Sequence, residues 1–212
     1  MKTLAECRLY TFVDTAYLHG RDPAVMARQL CDGGSDLIQL RAKNAPVGEV
    51  RRLAELILPV TRAAQVRLVI NDHLALAREL GAELCHLGQE DFFDAGHRCV
   101  SELRAPGGGL EIGLSTHAPE QAQRALAAGA DYIAIGPVFA TGTKPTAKPV
   151  TLEYVRWAAA HVTVPWFAIG GINLGNLDEV LAAGARRICV VSAILNAPDV
   201  TRACGEFARR LQ

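Results

Sequence analysis

The chain has 212 residues, half of them hydrophobic, with 22 basic and 22 acidic side chains. A chain without an excess of cations is poorly suited to bind nucleic acid or an anionic membrane surface, so neither is expected as a partner. No apolar run approaches the ~20 residues of a membrane span, and the first residues lack the apolar core of a secretory signal. We therefore expect a soluble cytoplasmic protein that forms one domain over residues 1–212.

The six cysteines are widely scattered and include no Cys-x-x-Cys pair. This spacing argues against metal fingers and redox motifs. Several of the cysteines lie inside apolar runs, which favours reduced thiols in the core.

Short apolar runs alternate with helical patterns along the whole chain. The runs occupy residues 8–13, 36–43, 68–72, 84–91, 110–117, 132–139, 166–172 and 187–191. Nearly continuous apolar runs are typical of strands buried on both faces, and the alternation fits a parallel sheet with helical crossovers. The helix after the second run is expected to end at Pro59, and the long interruption over residues 92–109 to hold a short helix around residues 100–103.

Eight strand–helix units in a chain of this length predict a (β/α)₈ TIM barrel. The alternative is an open, doubly wound sheet. No Gly-x-Gly-x-x-Gly motif follows the first run, which disfavours that alternative.

Carboxylates follow the third and fourth runs, at Asp72 and Asp91. If these runs are neighbouring parallel strands, both carboxylates emerge at the carboxyl end of the barrel, where active sites of this fold lie. Mg²⁺ is usually held by one or two carboxylates together with substrate phosphates, so the pair predicts a magnesium site. The alternative is that Asp72 caps the next helix and Asp91 begins a solvated loop.

Cationic side chains follow the second and sixth runs. Alternate residues of a strand share a face, so Gln39, Arg41 and Lys43 point together if the strand persists. Arg and Lys are both suited to phosphate, although charged residues at a strand end can equally be a solvated surface. Lys144 lies in a long loop with Thr141 and Thr143, which is either a lid over an anion or a flexible connector.

Two glycines, Gly170 and Gly171, follow the seventh run. The loops after strands seven and eight of these barrels commonly bind phosphate, and glycine lets an anion approach backbone N–H groups. A tight turn is the alternative.

We interpret His86, inside an apolar run, as a core histidine. His117, which follows Ser115 at a strand end, either takes part in the chemistry or caps its helix.

Taken together, these motifs resemble the thiamine phosphate synthase family over nearly the whole chain. The matching motifs, in family order, are Gln39-Leu40-Arg41-Ala42-Lys43, Asn71-Asp72, His86-Leu87-Gly88-Gln89-Glu90-Asp91, Ser115-Thr116-His117, Gly136-Pro137-Val138-Phe139 with Thr141-Gly142-Thr143-Lys144, Gly170-Gly171-Ile172, and Val191-Ser192-Ala193-Ile194. The resemblance implies a (β/α)₈ barrel that joins a pyrimidine methyl diphosphate to a thiazole phosphate, giving thiamine phosphate and pyrophosphate.

The resemblance also implies roles for individual residues. Asp72 and Asp91 correspond to the Mg²⁺ ligands. Contacts to the pyrimidine diphosphate fall to Gln39, Arg41, Lys43, Asn71, Ser115 and Lys144. The thiazole phosphate side falls to Thr141, Gly142, Thr143, Gly171, Val191 and Ser192. In the implied mechanism pyrophosphate leaves first, while Mg²⁺ with Arg41, Lys43 and Lys144 stabilises the charge growing on it. The thiazole nitrogen then captures the pyrimidine methylene cation.

The chain departs from the family pattern in its loops. Gly142 stands where proline is common, the segment between Asp91 and Ser115 is longer than usual, and Lys148-Pro149 extends the sixth loop. Two rival functions remain open: a thiazole tautomerase on the same fold, in which His117 would be central, and a non-catalytic thiamine-phosphate binding protein. The sequence also leaves open whether the chain forms a homo-oligomer.

Overall fold

The computed structural model describes residues 1–104, 109–141 and 149–212. In this part of the chain, parallel strands pair in sequence order from β1 to β8, and β8 pairs back with β1 to close a barrel. The strands are β1 (Leu9–Asp14), β2 (Leu37–Arg41), β3 (Arg67–Asn71), β4 (Leu84–Gly88), β5 (Glu111–Thr116), β6 (Tyr132–Ile135), β7 (Trp166–Ile169) and β8 (Ile188–Cys189). The predicted (β/α)₈ barrel is confirmed, and the open-sheet alternative is excluded.

Helices lie between successive strands. They are α1 (Thr15–Leu18), α2 (Pro23–Asp32), α3 (Val47–Ala63), α4 (Leu74–Leu80), α5 (Gln89–Asp94), α6 (Pro119–Ala127), α7 (Thr151–His161), α8 (Leu177–Ala182), α9 (Ser192–Leu195) and α10 (Val200–Arg210), with a 3₁₀ helix over Val100–Leu103. Among the described residues, no helix has both the length and the apolar character needed to cross a membrane.

The interior of the barrel is filled by aromatic side chains from opposite strands. The rings of Tyr10 on β1 and Tyr132 on β6 both pack edge-on against Phe167 on β7, at centroid distances of 5.4 and 5.9 Å. All three side chains are buried. Because β1 and β6 are not neighbours in the sheet, the rings can meet only across the barrel interior. The barrel is therefore closed below its carboxyl end, as expected of this fold.

The cysteines are reduced, and several are buried, as interpreted from the sequence. All six cysteines, each within the described residues, are free, and Cys7, Cys85, Cys189 and Cys204 are buried. Burial raises the pKa of Cys7, Cys85 and Cys204 to about 12, which keeps them as thiols at neutral pH.

The prediction that Pro59 ends a helix is wrong, because α3 continues through it to Ala63. Proline removes one hydrogen bond of the helix and crowds the preceding turn. Pro59 is exposed, and carbonyl groups on the solvent side of a helix can bond to water while the helix curves. Buried Ile57, Leu58 and Thr61 hold the flanking turns against the core.

Several strands are shorter than the apolar runs that predict them. β2 ends at Arg41, β6 at Ile135, β7 at Ile169 and β8 at Cys189, and the run continues as irregular backbone at the rim. Three short helices at this rim, α1, α5 and α9, were not predicted. They have only four to six residues, too few to show a helical period in the sequence.

Candidate active site

A cavity of about 1030 Å³, part of it open to solvent, lies at the carboxyl end of the strands. The site residues predicted from the sequence that line it are Gln39, Arg41, Lys43, Asn71, Asp72, Asp91, Ser115, Thr141, Gly171, Val191 and Ser192. Residues from the second to the eighth strand units thus meet in one place. The remaining predicted site residues, Gly142, Thr143 and Lys144, lie outside the described residues.

Asp72 is held in place by its neighbours on β3 and β4. Its backbone N–H donates to the His86 carbonyl at 2.9 Å, and Asn71 Nδ2 donates to Asp72 Oδ2 at 2.6 Å. Asp72 has a φ of 64°, a left-handed conformation that Asp tolerates better than most residues. The helix-cap alternative is wrong, since the N-cap of α4 is His73.

Asp91 lies in the first turn of α5, so the alternative that it begins a loop is also wrong. A Cβ atom on Gly88, the last residue of β4, would lie 2.5 Å from Asp91 Oδ2. Gly88 has a φ of −61°, which any residue can adopt, so the effect of a side chain here would be steric: it would displace the Asp91 carboxylate. The absent side chain leaves the space that the Asp91 carboxylate occupies.

The two carboxylates fit a hard divalent cation such as Mg²⁺. Both are exposed, both line the cavity, and both follow paired strands. Among the described residues no group of three or more His, Cys, Asp or Glu side chains could hold a metal. Two carboxylates are the number that Mg²⁺ commonly takes from protein, with water and phosphate oxygens as the other ligands. Metal binding itself stays a prediction.

The two described cations of the cavity differ in their surroundings. Arg41 Nη1 donates to Asp14 Oδ2 at 2.7 Å, and the Asp14 side chain is only 1% exposed. Lys43 is exposed and lies beyond the end of β2. The condition that the strand persists through Lys43 is not met, because β2 ends at Arg41 and the chain turns at Asn44, with a φ of 66°. Lys43 nevertheless lines the same cavity as Arg41.

A chain of buried hydrogen bonds underlies the cavity. Gln39 Nε2 donates to the Tyr10 hydroxyl at 2.7 Å, the hydroxyls of Tyr10 and Tyr132 are 3.3 Å apart, and Tyr132 Oη is 3.1 Å from His86 Nδ1. Burial raises the pKa of both tyrosines well above its usual value, so the phenols stay protonated. These hydrogen bonds fix the Gln39 amide and the His86 ring at the inner end of the cavity.

His86 is buried and hydrogen-bonded, as interpreted from the sequence. It also lines the cavity, which the sequence interpretation missed. Its partner on β3 in the sheet register is Asn71, a predicted site residue, but the register is not readable from the sequence. In contrast, Gln89 and Glu90 are not among the described residues that line the cavity.

The glycines after β7 adopt conformations that favour glycine. Gly170 and Gly171 have φ values of 102° and 65°. A Cβ atom on Gly170 would overlap Pro137, and one on Gly171 would lie 2.6 Å from the Ala140 carbonyl oxygen. Asn176 Nδ2 donates to the Gly171 carbonyl at 2.9 Å and fixes this turn.

The helix α9 begins at Ser192, three residues after the end of β8. The first N–H groups of a helix have no partner within the helix. A short extra helix after strand eight, next to the loop after strand seven, is the common phosphate site of this fold. Gly171, Val191 and Ser192 all line the cavity, and phosphate binding at these residues stays a prediction.

His117 lines the cavity and is fixed by its own loop. Its Nδ1 atom hydrogen-bonds to the Gly136 carbonyl, and its backbone N–H donates to Gln121 Oε1 at 2.6 Å. The capping alternative is wrong, because the N-cap of α6 is Ala118.

Comparison with known proteins identifies the family. The sequence profile described as thiamine monophosphate synthase matches residues 9–194. The chain is 49% identical to the thiamine-phosphate synthase of Thermus thermophilus over 84% of each chain. It is 43% identical to that of Acidothermus cellulolyticus over 99% of this chain and 97% of the relative.

The solved structure of thiamine phosphate pyrophosphorylase from Pyrococcus furiosus is also similar. It superimposes with a TM-score of 0.80 at 30% identity, over 97% of this chain and 95% of that one. The family resemblance and the fold predicted from the sequence are both confirmed. The chain therefore belongs to the thiamine monophosphate synthase family, a family of transferases.

Proposed function

We propose that this cavity joins a pyrimidine methyl diphosphate to a thiazole phosphate, giving thiamine phosphate and pyrophosphate. The observation that carries the proposal is the convergence of two carboxylates, two cations and a glycine turn on one cavity. A binding site for the product alone would have no need of a clamp for a second, larger anion. The relatives' name, thiamine-phosphate synthase, supports the same product.

The carboxylates and cations of the cavity would bind the diphosphate end of the substrate. Asp72 and Asp91 would hold Mg²⁺, which when bound supplies positive charge to the leaving phosphate oxygens. Arg41 offers a planar fork of N–H donors to these oxygens, and Lys43 adds a mobile point charge. Lys144 belongs to this group by family resemblance. Donors already aimed at a site where charge develops give the largest catalytic effects.

The pyrimidine end falls to Gln39, Asn71 and Ser115. The Gln39 amide is fixed by Tyr10, and the Asn71 amide by Asp72, so both can orient the ring without first being ordered. In the proposed step the bond between the methylene carbon and the diphosphate oxygen breaks, and its electron pair leaves with pyrophosphate. The lone pair of the thiazole nitrogen then forms the new carbon–nitrogen bond, which requires no protein base.

The thiazole phosphate falls to the opposite side of the cavity. Gly171 after β7 and Val191 and Ser192 at the start of α9 would bind it through backbone N–H groups, together with Thr141, Gly142 and Thr143. Backbone N–H groups at a turn and at a helix start are well suited to phosphate. A cytoplasmic location belongs to the same proposal, because both substrates are charged phosphate compounds that do not cross membranes unaided.

A coupled assay with both substrates tests the proposal directly. We expect pyrophosphate release only when the pyrimidine diphosphate, the thiazole phosphate and Mg²⁺ are all present, with an equal amount of thiamine phosphate formed. Chelation of the metal should abolish both products. Equal pyrophosphate release without the thiazole would indicate a hydrolase, and binding without turnover would indicate a non-catalytic protein.

Replacement of His117 distinguishes the proposed reaction from the tautomerase alternative. We expect His117→Ala to reduce the coupling rate by less than about tenfold, because the proposed step requires no protein base. Loss of a general acid or base would typically cost 10²–10⁴-fold. The kcat of coupling at saturating substrates measures this. A loss of about a thousandfold, with folding unchanged by circular dichroism, would mean that His117 transfers a proton in the reaction.

A further inference from the structure

Arg41 forms an ion pair with the buried carboxylate of Asp14. The strands β1 and β2 pair in a register that places Asp14 opposite Arg41, and the two side chains form an ion pair of 2.7 Å. The Arg41 side chain is 12% exposed and the Asp14 side chain 1%. Of this pair, the described lining of the cavity includes Arg41 and excludes Asp14. Asp14 therefore makes no direct contact with the cavity, and Arg41 is the member of the pair that can touch a bound anion.

Both oxygens of the Asp14 carboxylate are engaged. Oδ1 accepts the backbone N–H of Ala16 at 3.0 Å, at the start of α1, and Oδ2 accepts Arg41 Nη1. A carboxylate fixed at both oxygens has one orientation, so it fixes the position of its partner as well. Two aspartates elsewhere, Asp22 and Asp199, accept backbone N–H groups at the starts of α2 and α10 in the same way. Capping a helix therefore does not require a cationic partner.

A guanidinium has five N–H donors in one plane. The bond from Nη1 to Asp14 fixes that plane and leaves other donors for the anion. The cavity also contains Asp72 and Asp91, which would attract an Arg41 that had no partner of its own. Fixing the side chain before binding lowers the entropy lost when the ligand arrives.

We propose that Asp14 is a positioning residue that holds the Arg41 guanidinium ready for the diphosphate and away from the metal-binding carboxylates. The inference rests on the proposed function, in which Arg41 contacts the diphosphate. It predicts that Asp14 contributes to diphosphate affinity only while Arg41 is present. A purely structural aspartate would contribute to stability regardless of residue 41.

A double-mutant cycle tests this prediction. Calorimetry would measure the binding of pyrophosphate, in the presence of Mg²⁺, to the wild type, Asp14→Asn, Arg41→Ala and the double variant. We expect Asp14→Asn to weaken binding about tenfold, the scale of ordering one long side chain, and Arg41→Ala to weaken it further. The double variant should bind no more weakly than Arg41→Ala, because the effect of Asp14 is exerted through the guanidinium.

Two controls separate positioning from folding. Asp22→Asn makes the same chemical change at the start of α2 and should leave pyrophosphate affinity unchanged. Asp14→Ser keeps a residue that can cap α1 but removes the partner of Arg41, so it should weaken binding as Asp14→Asn does. Thermal unfolding of each variant reports any loss of stability, and Asp14→Ser serves as the test if Asp14→Asn does not fold.

Two results would overturn the inference while the proposed function stands. One is unchanged affinity in Asp14→Asn and Asp14→Ser beside a large loss in Arg41→Ala. The other is an equal loss from Asp14→Asn in the wild type and in the Arg41→Ala background. If Arg41→Ala itself binds pyrophosphate as the wild type does, the assignment of Arg41 in the proposed function is overturned, and the inference with it.

Discussion

Replacement of Asp72 with Asn is expected to lower kcat by roughly 10²–10³-fold, the usual cost of removing one preorganised group that stabilises charge in a transition state. The substitution keeps the size of the side chain and removes the negative charge that would attract Mg²⁺. Asp72 is exposed, so the fold should be unaffected. Steady-state release of pyrophosphate, measured over a range of Mg²⁺ concentrations, checks the expectation.

Asp94→Asn is the matched control for this substitution. Asp94 is an exposed aspartate on α5, close in sequence to Asp91 but outside the described lining of the cavity. It should retain the wild-type rate and the wild-type dependence on Mg²⁺. If Asp72→Asn turned over as fast as Asp94→Asn at every Mg²⁺ concentration, Asp72 would not be a metal ligand.

The second large effect is expected from Gly170→Ala. Its φ of 102° is rarely adopted by residues with a side chain, and the new methyl group would overlap Pro137. The turn between β7 and α8 must therefore move, and with it the backbone proposed to bind the thiazole phosphate. We expect the KM for the thiazole phosphate to rise at least tenfold and the free energy of unfolding to fall by about 1–3 kcal/mol.

Gly184→Ala separates the two consequences. Gly184 has a φ of 103°, and a Cβ atom there would lie 2.6 Å from the Ala159 Cβ atom, outside the described cavity lining. It should therefore lose similar stability in urea unfolding and keep the wild-type KM. An equal rise of KM in both variants would mean that general destabilisation, and not the phosphate turn, explains the effect.

The barrel and most of the site were predictable because both depend on local patterns. An apolar run of strand length followed by a helical pattern, eight times over, leaves little choice of fold. The same fold places every strand end at one rim, so Asp72 after β3 and Gly171 after β7 could be assigned to one cavity without any knowledge of distances. The family resemblance then added roles that the residue types alone left open.

The supporting contacts were not predictable, because they depend on register and on side-chain direction. Asp14 directly follows the first apolar run, residues 8–13, so its place at the rim was readable from the sequence. Its pairing with Arg41 follows from the register of β1 on β2, which the sequence does not reveal. Gly88 is similar, because a side chain at this position would displace the Asp91 carboxylate, a contact that the sequence does not reveal.

The irregular backbone at the carboxyl rim was also not predictable from the sequence, for a physical reason. The apolar residues at the ends of β6, β7 and β8 are buried although the backbone is no longer a strand. Hydrophobicity reports burial and not conformation, so the runs appear longer than the strands. At Pro59 the sequence pattern predicts a helix that is too short. A single proline on the exposed side of a long helix is outweighed by the packing of the buried side.

The proposed reaction requires that the cavity bind a diphosphate through a divalent cation held by Asp72 and Asp91. Calorimetric titration of pyrophosphate, with and without Mg²⁺, into the wild type and into the double variant Asp72→Asn/Asp91→Asn tests it most directly. We predict that Mg²⁺ tightens binding to the wild type by roughly 5- to 150-fold, the usual range of coupling between two ligands, and leaves binding to the double variant unchanged. The same gain from Mg²⁺ in both proteins would contradict the claim.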